Sequence, residues 1–371
     1  MGNSKLVLVG GGHAHAIALK LWSDNPLDGV ELTLISDVEN TPYSGMLPGY
    51  VAGFYSYEET HINLSRLAAS AGAKLIIDRA IALEDRKILL ESGKAVEFDL
   101  LSLDTGSTPK TIDTPGAAQY AIPAKPVPVF LAAWESIIKE VAANPKQTIR
   151  IATVGGGAGG VELAFNIQAR LLQHLPLQRI EITLIHRGNT LLNGHNPKVS
   201  KLVTKLMQQR QIRLLLNTSV TQIQSQLVHC DNDKTIPTDY TFWVTQADSP
   251  QWIKDSYLAK DEGGFTLVDS YLRSLSHPSV FATGDIASMI NYPRPKAGVF
   301  AVRQGKPIYT NWRNALTQQP LQPYKPQSKY LALVGTGDKK AIASWGNFCW
   351  RSSLLWQLKD YIDRKFMNQF P

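Results

Sequence analysis

The stretch that decides the fold is VLVGGGHAH, residues 7–15, and it has a counterpart in ATVGGGAGG, residues 152–160. Each stretch begins in an apolar run typical of a buried strand and leads into an apolar pattern with helical spacing. A second strand of nearly the same sequence then follows, ELTLISD at residues 31–37 and EITLIHR at residues 181–187. One glycine motif of this kind is a weak signal, but two in the same strand–turn–helix–strand context predict a duplicated α/β unit.

The glycines in these motifs have separate physical roles. The first permits a tight turn, the second lets the backbone approach a pyrophosphate, and the third lets helix and strand pack closely. In chain order these positions hold Gly10, Gly12 and His15 in the first motif and Gly155, Gly157 and Gly160 in the second. The following helix adds free N–H groups and a partial positive charge. We therefore expect each turn to bind a dinucleotide, with a turn that serves only packing as the alternative. At the third position, His15 must fit between helix and strand or point toward the ligand.

The order of three motifs along the chain predicts the architecture. SVFATGDI, residues 279–286, is typical of a buried strand that ends in Gly284 and Asp285. An Asp at the carboxyl end of a parallel strand faces the ligand crevice, although it could instead cap the next helix. Because this strand comes last, the economical fold is α/β, with two Rossmann-like domains, the second inserted in the first. Proline-rich stretches place the boundaries. The predicted segments are 1–122 and 250–318 for the first domain, 123–249 for the second, and 319–371 for a small C-terminal segment.

Composition narrows the class of protein. Hydrophobic residues make up 44% and charged residues 19% of the 371 residues, which is ordinary for a globular domain. We see no transmembrane run and no secretory signal, and we expect a cytoplasmic protein. The two cysteines, Cys230 and Cys349, exclude a disulfide scaffold and a Cys-x-x-Cys relay. The net charge of +7 fits phosphate-bearing cofactors, with an anionic membrane as the alternative. No nucleic-acid partner and no metal site are expected.

These features resemble the pyridine nucleotide-disulfide oxidoreductase superfamily, and within it the type II NADH dehydrogenases and sulfide:quinone reductases. The resemblance covers about residues 5–315. It rests on the two glycine motifs, on DTGS at residues 104–107 and on ATGD at residues 282–285.

A narrower resemblance rests on three other segments. They are GGGHAH at residues 10–15, TPYSGMLPG at residues 41–49 and PKAGV at residues 295–299. These segments are similar to dehydrogenase-like modules that, in some proteins, precede a selenophosphate synthetase. The 371 residues include no synthetase portion, so the sequence could be a stand-alone member or a truncated one.

The resemblance implies that FAD lies across the first unit. Its implied contacts are Gly10, Gly12 and His13 at the pyrophosphate, Ser36 at the adenosine ribose, Pro42 and Met46 beside the isoalloxazine, Thr105 and Gly106 on the adenosine side, Gly284 and Asp285 at the ribitol, and Lys296, Ala297, Gly298 and Val299 at the pyrimidine edge. Ser36 departs from the acidic residue usual at its position. A cation at the pyrimidine edge stabilises a reduced flavin, which makes Lys296 a catalytic candidate. The alternative is a surface lysine.

The resemblance also implies NADPH or NADH in the second unit, held by Gly155, Gly157, Gly160 and Arg187. Glu162 would lie near the nicotinamide as a second catalytic candidate, with a helix-stabilising acid as the alternative. His186 and Arg187 replace the usual ribose-binding acid, which favours NADPH or else indicates a vestigial site. Gln246 stands where relatives usually carry glycine, which weakens the expectation of dinucleotide binding.

The implied function is an FAD-dependent NAD(P)H dehydrogenase that passes hydride from nicotinamide to flavin and then to an acceptor, without a redox disulfide. Quinone is the leading acceptor; Gln304 fits the quinone-side motif of type II dehydrogenases, whereas Phe300 departs from it. The alternatives are a reductase of selenium or sulfur compounds and a non-catalytic flavin-binding module. Apolar residues between 354 and 366 recur at helical spacing. They predict a helix packed on its own core, or one that reaches a membrane. The sequence leaves open whether the protein forms a homodimer.

Overall fold

The computed structural model describes residues 3–109, 114–231, 233–245 and 247–371. Its centre is a pair of five-stranded, fully parallel sheets. Across the first sheet the strands are Lys74–Ile77, Val30–Ser36, Ser4–Val9, Leu100–Leu103 and Val280–Ala282. Across the second they are Arg213–Leu215, Ile180–Ile185, Ile149–Val154, Tyr240–Trp243 and Ala121–Pro123.

The last strand of the first sheet comes from beyond the second sheet in the chain, which confirms the predicted nesting of one unit in the other. The antiparallel pair Thr108–Pro109 and Ala247–Asp248 lies where the chain passes between the units. The exact domain boundaries remain a prediction. The boundary predicted between residues 122 and 123 falls within the strand Ala121–Pro123, which pairs within the second sheet.

The duplication extends further than the glycine motifs. In each unit a three-stranded antiparallel sheet follows the third parallel strand, counted from the strand that leads into the glycine turn. These strands are Ala80–Glu84, Lys87–Leu90 and Ala95–Glu97 in the first unit, and Val220–Gln224, Leu227–Cys230 and Thr235–Pro237 in the second. The sequence repeat did not reveal this element, since its strands share little sequence.

Helices cover both sheets. The longer ones are His13–Asp24, Leu64–Ser70, Val127–Ala143, Ala158–Leu171, Pro197–Gln209, Gly298–Leu316 and Ser353–Met367. Short ones are Leu47–Val51, Tyr57–Thr60, Ala117–Tyr120 and Gln251–Asp255, with 3-10 turns at Leu177–Arg179 and Gly284–Ile286. Gly305 lets two of the long helices approach, because a Cβ there would lie 2.5 Å from Cβ of Ile17.

Small strand pairs complete the fold. Asn40–Pro42 pairs with His61–Asn63, and Thr266–Val268 pairs with Ala287–Met289. The C-terminal segment forms a three-stranded antiparallel sheet, Ala332–Gly335, Ala341–Trp345 and Phe348–Ser352, which leads directly into the helix Ser353–Met367. Among the described residues, no helix is both long enough and apolar enough to cross a bilayer.

Candidate active site

The first glycine turn is fitted closely around Asp104. Gly10 has a φ of +94°, and a Cβ there would lie 2.4 Å from the Asp104 carbonyl oxygen. A Cβ on Gly12 would lie 2.3 Å from the carboxyl carbon of Asp104. Both positions therefore require glycine, as the motif predicts.

Asp104 itself caps the helix that follows the turn. Its Oδ2 atom accepts a hydrogen bond of 3.0 Å from the backbone N–H of His15. Burial raises the pKa of the Asp104 carboxyl to about 7, although backbone hydrogen bonds from His15 and Ala14 oppose the shift. The segment DTGS at residues 104–107 includes Asp104, but the sequence analysis assigned it no role. The general glycine motif includes no carboxylate that packs against the phosphate-binding turn.

His15, in the third glycine position, fits between helix and strand, one of the two predicted alternatives. Its Nδ1 atom lies 2.7 Å from the carbonyl oxygen of Gly10, and its Nε2 atom lies 2.8 Å from Oγ of Ser102. Burial lowers the pKa of His15 to about 4. A neutral ring therefore donates from Nδ1 to the carbonyl and accepts at Nε2 from the Ser102 hydroxyl.

His13 connects the first turn to the segment that we call the 41–49 loop. Its ring meets Tyr43 edge to face at 5.3 Å and Phe366 at 6.1 Å between centroids. The backbone N–H of Ser44 donates to Nε2 of His13 over 3.4 Å. Burial lowers the pKa of His13 to about 4, so this ring is a neutral acceptor at pH 7.

The 41–49 loop meets the start of the helix Gly298–Leu316. A Cβ on Gly298 would lie 3.0 Å from Oγ of Ser44. Ala297 is the N-cap residue of this helix and Val299 lies in its first turn, so its positive end lies beside the loop. Within the loop, Pro42 ends a strand and Met46 is buried at the start of a short helix. The structure thus brings His13, the 41–49 loop and residues 297–299 together.

Asp285 lies at the carboxyl end of the first sheet in a three-residue polar cluster. Its Oδ2 atom accepts 2.8 Å hydrogen bonds from Oγ of Ser107 and from Nζ of Lys125. Burial opposes ionisation of Asp285, yet the Lys125 ammonium and both hydrogen bonds hold the pKa of its carboxyl below the ordinary value. The preceding Gly284 has a positive φ, and its N–H donates over 2.7 Å to Oε1 of buried Gln304. The sequence analysis did not identify Lys125 as a site residue, because it lies in a proline-rich junction. The one available signal was that a buried aspartate such as Asp285 needs a partner.

Lys296 is directed toward the protein. Its ammonium donates over 2.7 Å to the carbonyl oxygen of Ala287 and lies 4.0 Å from the centroid of the Phe265 ring. Burial lowers the pKa of Lys296 to about 8, while the charges of Asp261 and Asp285 oppose that shift. Its role at a flavin remains a prediction.

The two hydroxyl groups expected on the adenosine side differ in how they are used. Ser36 donates over 2.8 Å to the carbonyl oxygen of Val38 and accepts from the Val38 N–H, which closes a local turn. Thr105, by contrast, has a buried Oγ1 atom with no hydrogen-bond partner among the described residues. Beside it, Gly106 has a φ of +71° and open space where a Cβ would lie. A buried hydroxyl without a partner beside open space fits a ligand contact.

The second glycine turn has the complete set. Gly155 has a φ of +127°, and a Cβ there would lie 2.1 Å from the carbonyl oxygen of Val244. A Cβ on Gly160 would lie 2.0 Å from the carbonyl oxygen of Gly155. A Cβ on Gly157 would meet nothing within 4 Å, so the backbone there is open to an incoming group. This is the arrangement that a pyrophosphate requires.

At the end of the next strand, His186 folds back onto the second turn. Its Nδ1 atom accepts a 3.1 Å hydrogen bond from the N–H of Gly156. Burial and the neighbouring Arg187 lower the pKa of His186, which keeps Nδ1 free to accept. Arg187 is exposed. Gln246, the residue that weakened the expectation of dinucleotide binding, lies outside the described residues.

Glu162 joins the second unit to the C-terminal segment. Its Oε1 atom accepts a 2.7 Å hydrogen bond from the N–H of Gly335. Burial raises the pKa of Glu162 to about 7, although the nearby Lys359 ammonium opposes the shift. Lys359 in turn donates to the Gly45 carbonyl oxygen and forms a 2.6 Å ion pair with Asp363. The charge of Lys359 thus acts on Glu162, while its ammonium contacts the 41–49 loop.

The C-terminal helix lies against the 41–49 loop. Tyr43 donates over 3.1 Å to Oδ1 of Asp363 and stacks on Phe366 at 4.3 Å between centroids. Tyr55 donates over 2.7 Å to Oδ1 of Asp360. The helix is therefore packed on the protein, one of the two predicted alternatives, but its outer face exposes apolar side chains, namely Leu354, Leu358, Tyr361 and Ile362.

A cavity of about 330 Å³ lies between the 41–49 loop and the end of this helix. Apolar lining comes from Met46, Ile62, Met367, Phe370 and Pro371, and polar or charged lining comes from Glu58, Glu59, His61, Arg364 and Asn368. The cavity therefore combines an apolar wall with a polar and partly charged one, which suits a small ligand that has both polar and apolar parts.

The sequence profile described as pyridine nucleotide-disulphide oxidoreductase matches residues 4–318, and the chain belongs to this family. It is 24% identical over 344 residues to the NADH dehydrogenase-like protein YutJ of Bacillus subtilis, covering 91% of each chain. It is 24% identical over 369 residues to an alternative NAD(P)H-ubiquinone oxidoreductase of Arabidopsis thaliana, covering 87% of this chain and 70% of that protein. The fold matches NDH2 of Plasmodium falciparum in complex with NADH, with a TM-score of 0.84 at 15% identity over 99% and 97% of the two chains.

Family membership makes the chain an oxidoreductase of the class that uses FAD and a nicotinamide dinucleotide. It confirms the predicted superfamily, the α/β class and the cofactor pair.

Proposed function

We propose that this protein is an FAD-dependent NAD(P)H:quinone oxidoreductase that works without a redox disulfide. When bound, the flavin supplies the chemistry that accepts a hydride and passes electrons on. The observation that carries the proposal is the cavity beside Met46, whose lining from residues 58–62 and from the end of the C-terminal helix is both apolar and polar. It supports a small acceptor with both apolar and polar parts, and a quinone, with its apolar ring and two carbonyl oxygens, has that character.

FAD would be held by the first unit. The unpartnered hydroxyl of Thr105 and the free space at Gly106 support contacts with the cofactor. Asp285 keeps one carboxylate oxygen, Oδ2, on Ser107 and Lys125, which leaves Oδ1 to accept from a ribitol hydroxyl. The glycine turn, His13, residues 42–46 and residues 296–299 complete the set that we propose.

NADPH or NADH would be held by the second unit, at Gly155, Gly157 and Gly160. The open space at Gly157 supports close approach of a pyrophosphate. Arg187 is exposed beside the strand end where a ribose-binding acid is usual, and a guanidinium there favours a 2′-phosphate. We therefore propose a preference for NADPH.

Electrons would pass directly to the acceptor. Cys230 is buried in the small sheet of the second unit, and Cys349 lies in the C-terminal sheet. Neither belongs to the 41–49 loop, which carries no cysteine. An acceptor in the cavity would instead meet Met46 of that loop. The relative named as an NAD(P)H-ubiquinone oxidoreductase supports this choice of acceptor.

Glu162 and Lys359 would handle the proton that quinone reduction consumes. A carboxyl group whose pKa is raised by burial to about 7 can hold a proton at neutral pH and release it. Lys359 connects the surroundings of Glu162 to Asp363 and to the 41–49 loop. We propose that Glu162 binds this proton at its carboxyl group.

We also propose that the exposed face of the C-terminal segment contacts a membrane surface, where quinones are dissolved. Trp345, Phe348 and Trp350 are 58%, 52% and 60% exposed on the hairpin that leads into the last helix, whose outer face is also apolar. Asn196 bonds to the hairpin at Gly346, and the helix that follows exposes Lys198, Lys201 and Lys205. Aromatic side chains beside lysines suit an anionic lipid surface. Sedimentation of the protein with phosphatidylglycerol vesicles, but not with neutral vesicles, would support this contact. Self-association of the chain without vesicle binding would instead indicate a homodimer face.

The test of the function divides the reaction in two. FAD-loaded protein is reduced anaerobically with NADPH or NADH and then mixed with a water-soluble ubiquinone analogue, with selenite or with a polysulfide. We expect rapid flavin bleaching and fastest reoxidation by the quinone. Fastest reoxidation by selenite or polysulfide would support the reductase alternative, and with it the narrower likeness to modules that precede selenophosphate synthetases. A flavin that neither nucleotide reduces would indicate a non-catalytic module.

A further inference from the structure

We propose that Lys125, which the second unit supplies, is the positioning cation of the flavin site in the first unit. It orients Asp285 toward the cofactor and places a positive charge beside it. This inference rests on the FAD site proposed above, and it concerns a residue that neither the glycine motifs nor the Gly-Asp motif includes.

The cluster around Lys125 is compact and directional. Nζ of Lys125 lies 2.8 Å from Oδ2 of Asp285 and 2.9 Å from Oγ of Ser107, and Ser107 donates over 2.8 Å to the same Oδ2. Each of the three side chains thus contacts the other two. Among the described residues, Oδ1 of Asp285 makes no such contact. The cluster therefore fixes the rotamer of Asp285 and leaves one oxygen for a ligand hydroxyl.

The lysine is held by the backbone of the second unit. It follows the strand Ala121–Pro123 of the second sheet, and the next residue but one begins the helix Val127–Ala143. The N–H of Ala124 donates over 3.0 Å to the carbonyl oxygen of Trp243, in the neighbouring strand of that sheet. Asp285, by contrast, is 160 residues away in the chain and follows the last strand of the first sheet, Val280–Ala282. Lys125 therefore brings a charge from the nicotinamide unit into the flavin unit.

Lys125 is also the better placed of two lysines near Asp285. The ammonium of Lys296 already contacts the Ala287 carbonyl oxygen and the Phe265 ring. The side chain of Lys125 stays 42% exposed while Asp285 is 16% exposed, so the ammonium lies at the open side of the cluster. The charges of Asp285 and Lys125 both act on the buried ring of His13, which places the cluster within electrostatic reach of the first turn.

Two consequences follow from the charge. Loss of the ammonium leaves Asp285 as a partly buried carboxylate without its counter-ion, which weakens the binding of a cofactor that depends on that side chain. A flavin gains negative charge on reduction, so the same loss disfavours the reduced cofactor more than the oxidised one. The first effect lowers the affinity for FAD in both oxidation states, and the second makes the bound flavin harder to reduce.

The experiment compares Lys125→Met with Lys125→Arg and with a matched control, Lys254→Met. Lys254 forms a similar pair with Asp248, at 2.7 Å and with side chains 28% and 14% exposed. The midpoint potential of bound FAD is measured in the full chain with a chemical reductant and a reference dye, and FAD affinity is measured by fluorescence titration. We expect Lys125→Met to weaken binding of reduced FAD about tenfold more than that of oxidised FAD, which lowers a two-electron potential by about 30 mV. Lys125→Arg should restore most of the potential, and Lys254→Met should leave it unchanged.

Lys125→Gln serves if the methionine variant does not retain FAD, since an amide can still donate to Asp285 while carrying no charge. It should lower the potential in the same direction. An unchanged potential in both neutral variants, or an equal shift in Lys254→Met, would overturn the inference. The potential is measured without a nicotinamide or a quinone, so a protein that binds FAD but is not reduced by NAD(P)H contradicts only the proposed function. A chain that binds no FAD overturns both.

Discussion

The two glycine turns of this protein share a backbone and differ in their surroundings. In the first turn, the carboxylate of Asp104 and the ring of His15 fill the space between turn, helix and neighbouring strands. In the second turn, Gly157 faces open space and Gly160 packs directly against the turn. The comparison indicates a first site built into a fixed polar core and a second site that stays accessible. A tightly held cofactor and an exchanging substrate would need these two kinds of site.

The largest expected effect comes from matched substitutions in the two turns. Gly10→Ala should yield protein without flavin, because the added Cβ would overlap the Asp104 backbone. Gly155→Ala should retain flavin but slow its reduction by NAD(P)H at least about 100-fold, since overlap and roughly 1–3 kcal/mol of backbone strain fall on that site alone. Bound flavin is measured by absorbance and reduction by stopped flow. Loss of flavin in both variants would contradict the assignment of the two turns to different nucleotides.

A second difference lies five residues after the second glycine of each turn. Ile17 packs against Gly305 of a neighbouring helix, whereas Glu162 carries a carboxyl group to the C-terminal segment. If Glu162 exchanges a proton, reoxidation of reduced enzyme by quinone should change with pH around its pKa of about 7, with the carboxyl protonated below and charged above. Glu162→Gln should remove this inflection and slow reoxidation by about 100-fold. Reduction by NAD(P)H at neutral pH provides the internal control, and an unchanged pH profile would exclude the role.

Glu162 also has a consequence for stability. A carboxyl group whose pKa is raised on folding stabilises the fold below the pKa of the unfolded chain, and this contribution is lost as pH rises toward about 7. Glu162→Gln should therefore make the melting temperature depend less on pH across that window. A thermal melt series detects the difference without any cofactor chemistry.

The smallest effect of a substitution is expected at the end of the strand that follows the glycine turn and its helix in each unit. The first unit carries Ser36 and Asp37 there, and the second carries His186 and Arg187. Arg187→Ala should raise KM for NADPH by roughly 10-fold or more, because a charge-assisted hydrogen bond contributes about 1.5–3 kcal/mol. KM for NADH should stay nearly unchanged. Equal changes for both nucleotides would remove the argument for a 2′-phosphate contact.

The sequence could predict the parts of this site that are encoded locally. Gly10, Gly155 and Gly160 were predictable because a turn of this kind leaves no room for a Cβ, and Asp285 because it closely follows a buried strand. The alternating strand and helix patterns were sufficient for the parallel sheets and the nesting.

Contacts between distant segments could not be predicted in this way. Lys125 meets Asp285 across 160 residues, and Lys359 meets Gly45 across 314. The periodicity of a sequence does not show such a pair, since neither lysine stands out from the residues around it in the chain. The helical spacing of residues 354–366 predicted the last helix correctly, but it could not show that its polar side would lie on the 41–49 loop. Similarly, nothing in the sequence showed that Ser36 would close its own turn.

The most direct test of the account is the reduction of bound flavin by NADPH and NADH in the wild type and in Gly157→Ala. This substitution meets no protein atom within 4 Å, so the fold and the flavin should be preserved. We predict that the rate of flavin reduction in the wild type saturates with nucleotide concentration. In the variant, the dissociation constant of the nucleotide should be at least about tenfold higher, because backbone hydrogen bonds to a charged group are lost. A wild-type flavin that neither nucleotide reduces, or a variant whose reduction is indistinguishable from that of the wild type, would contradict the claim that the second turn binds the electron donor.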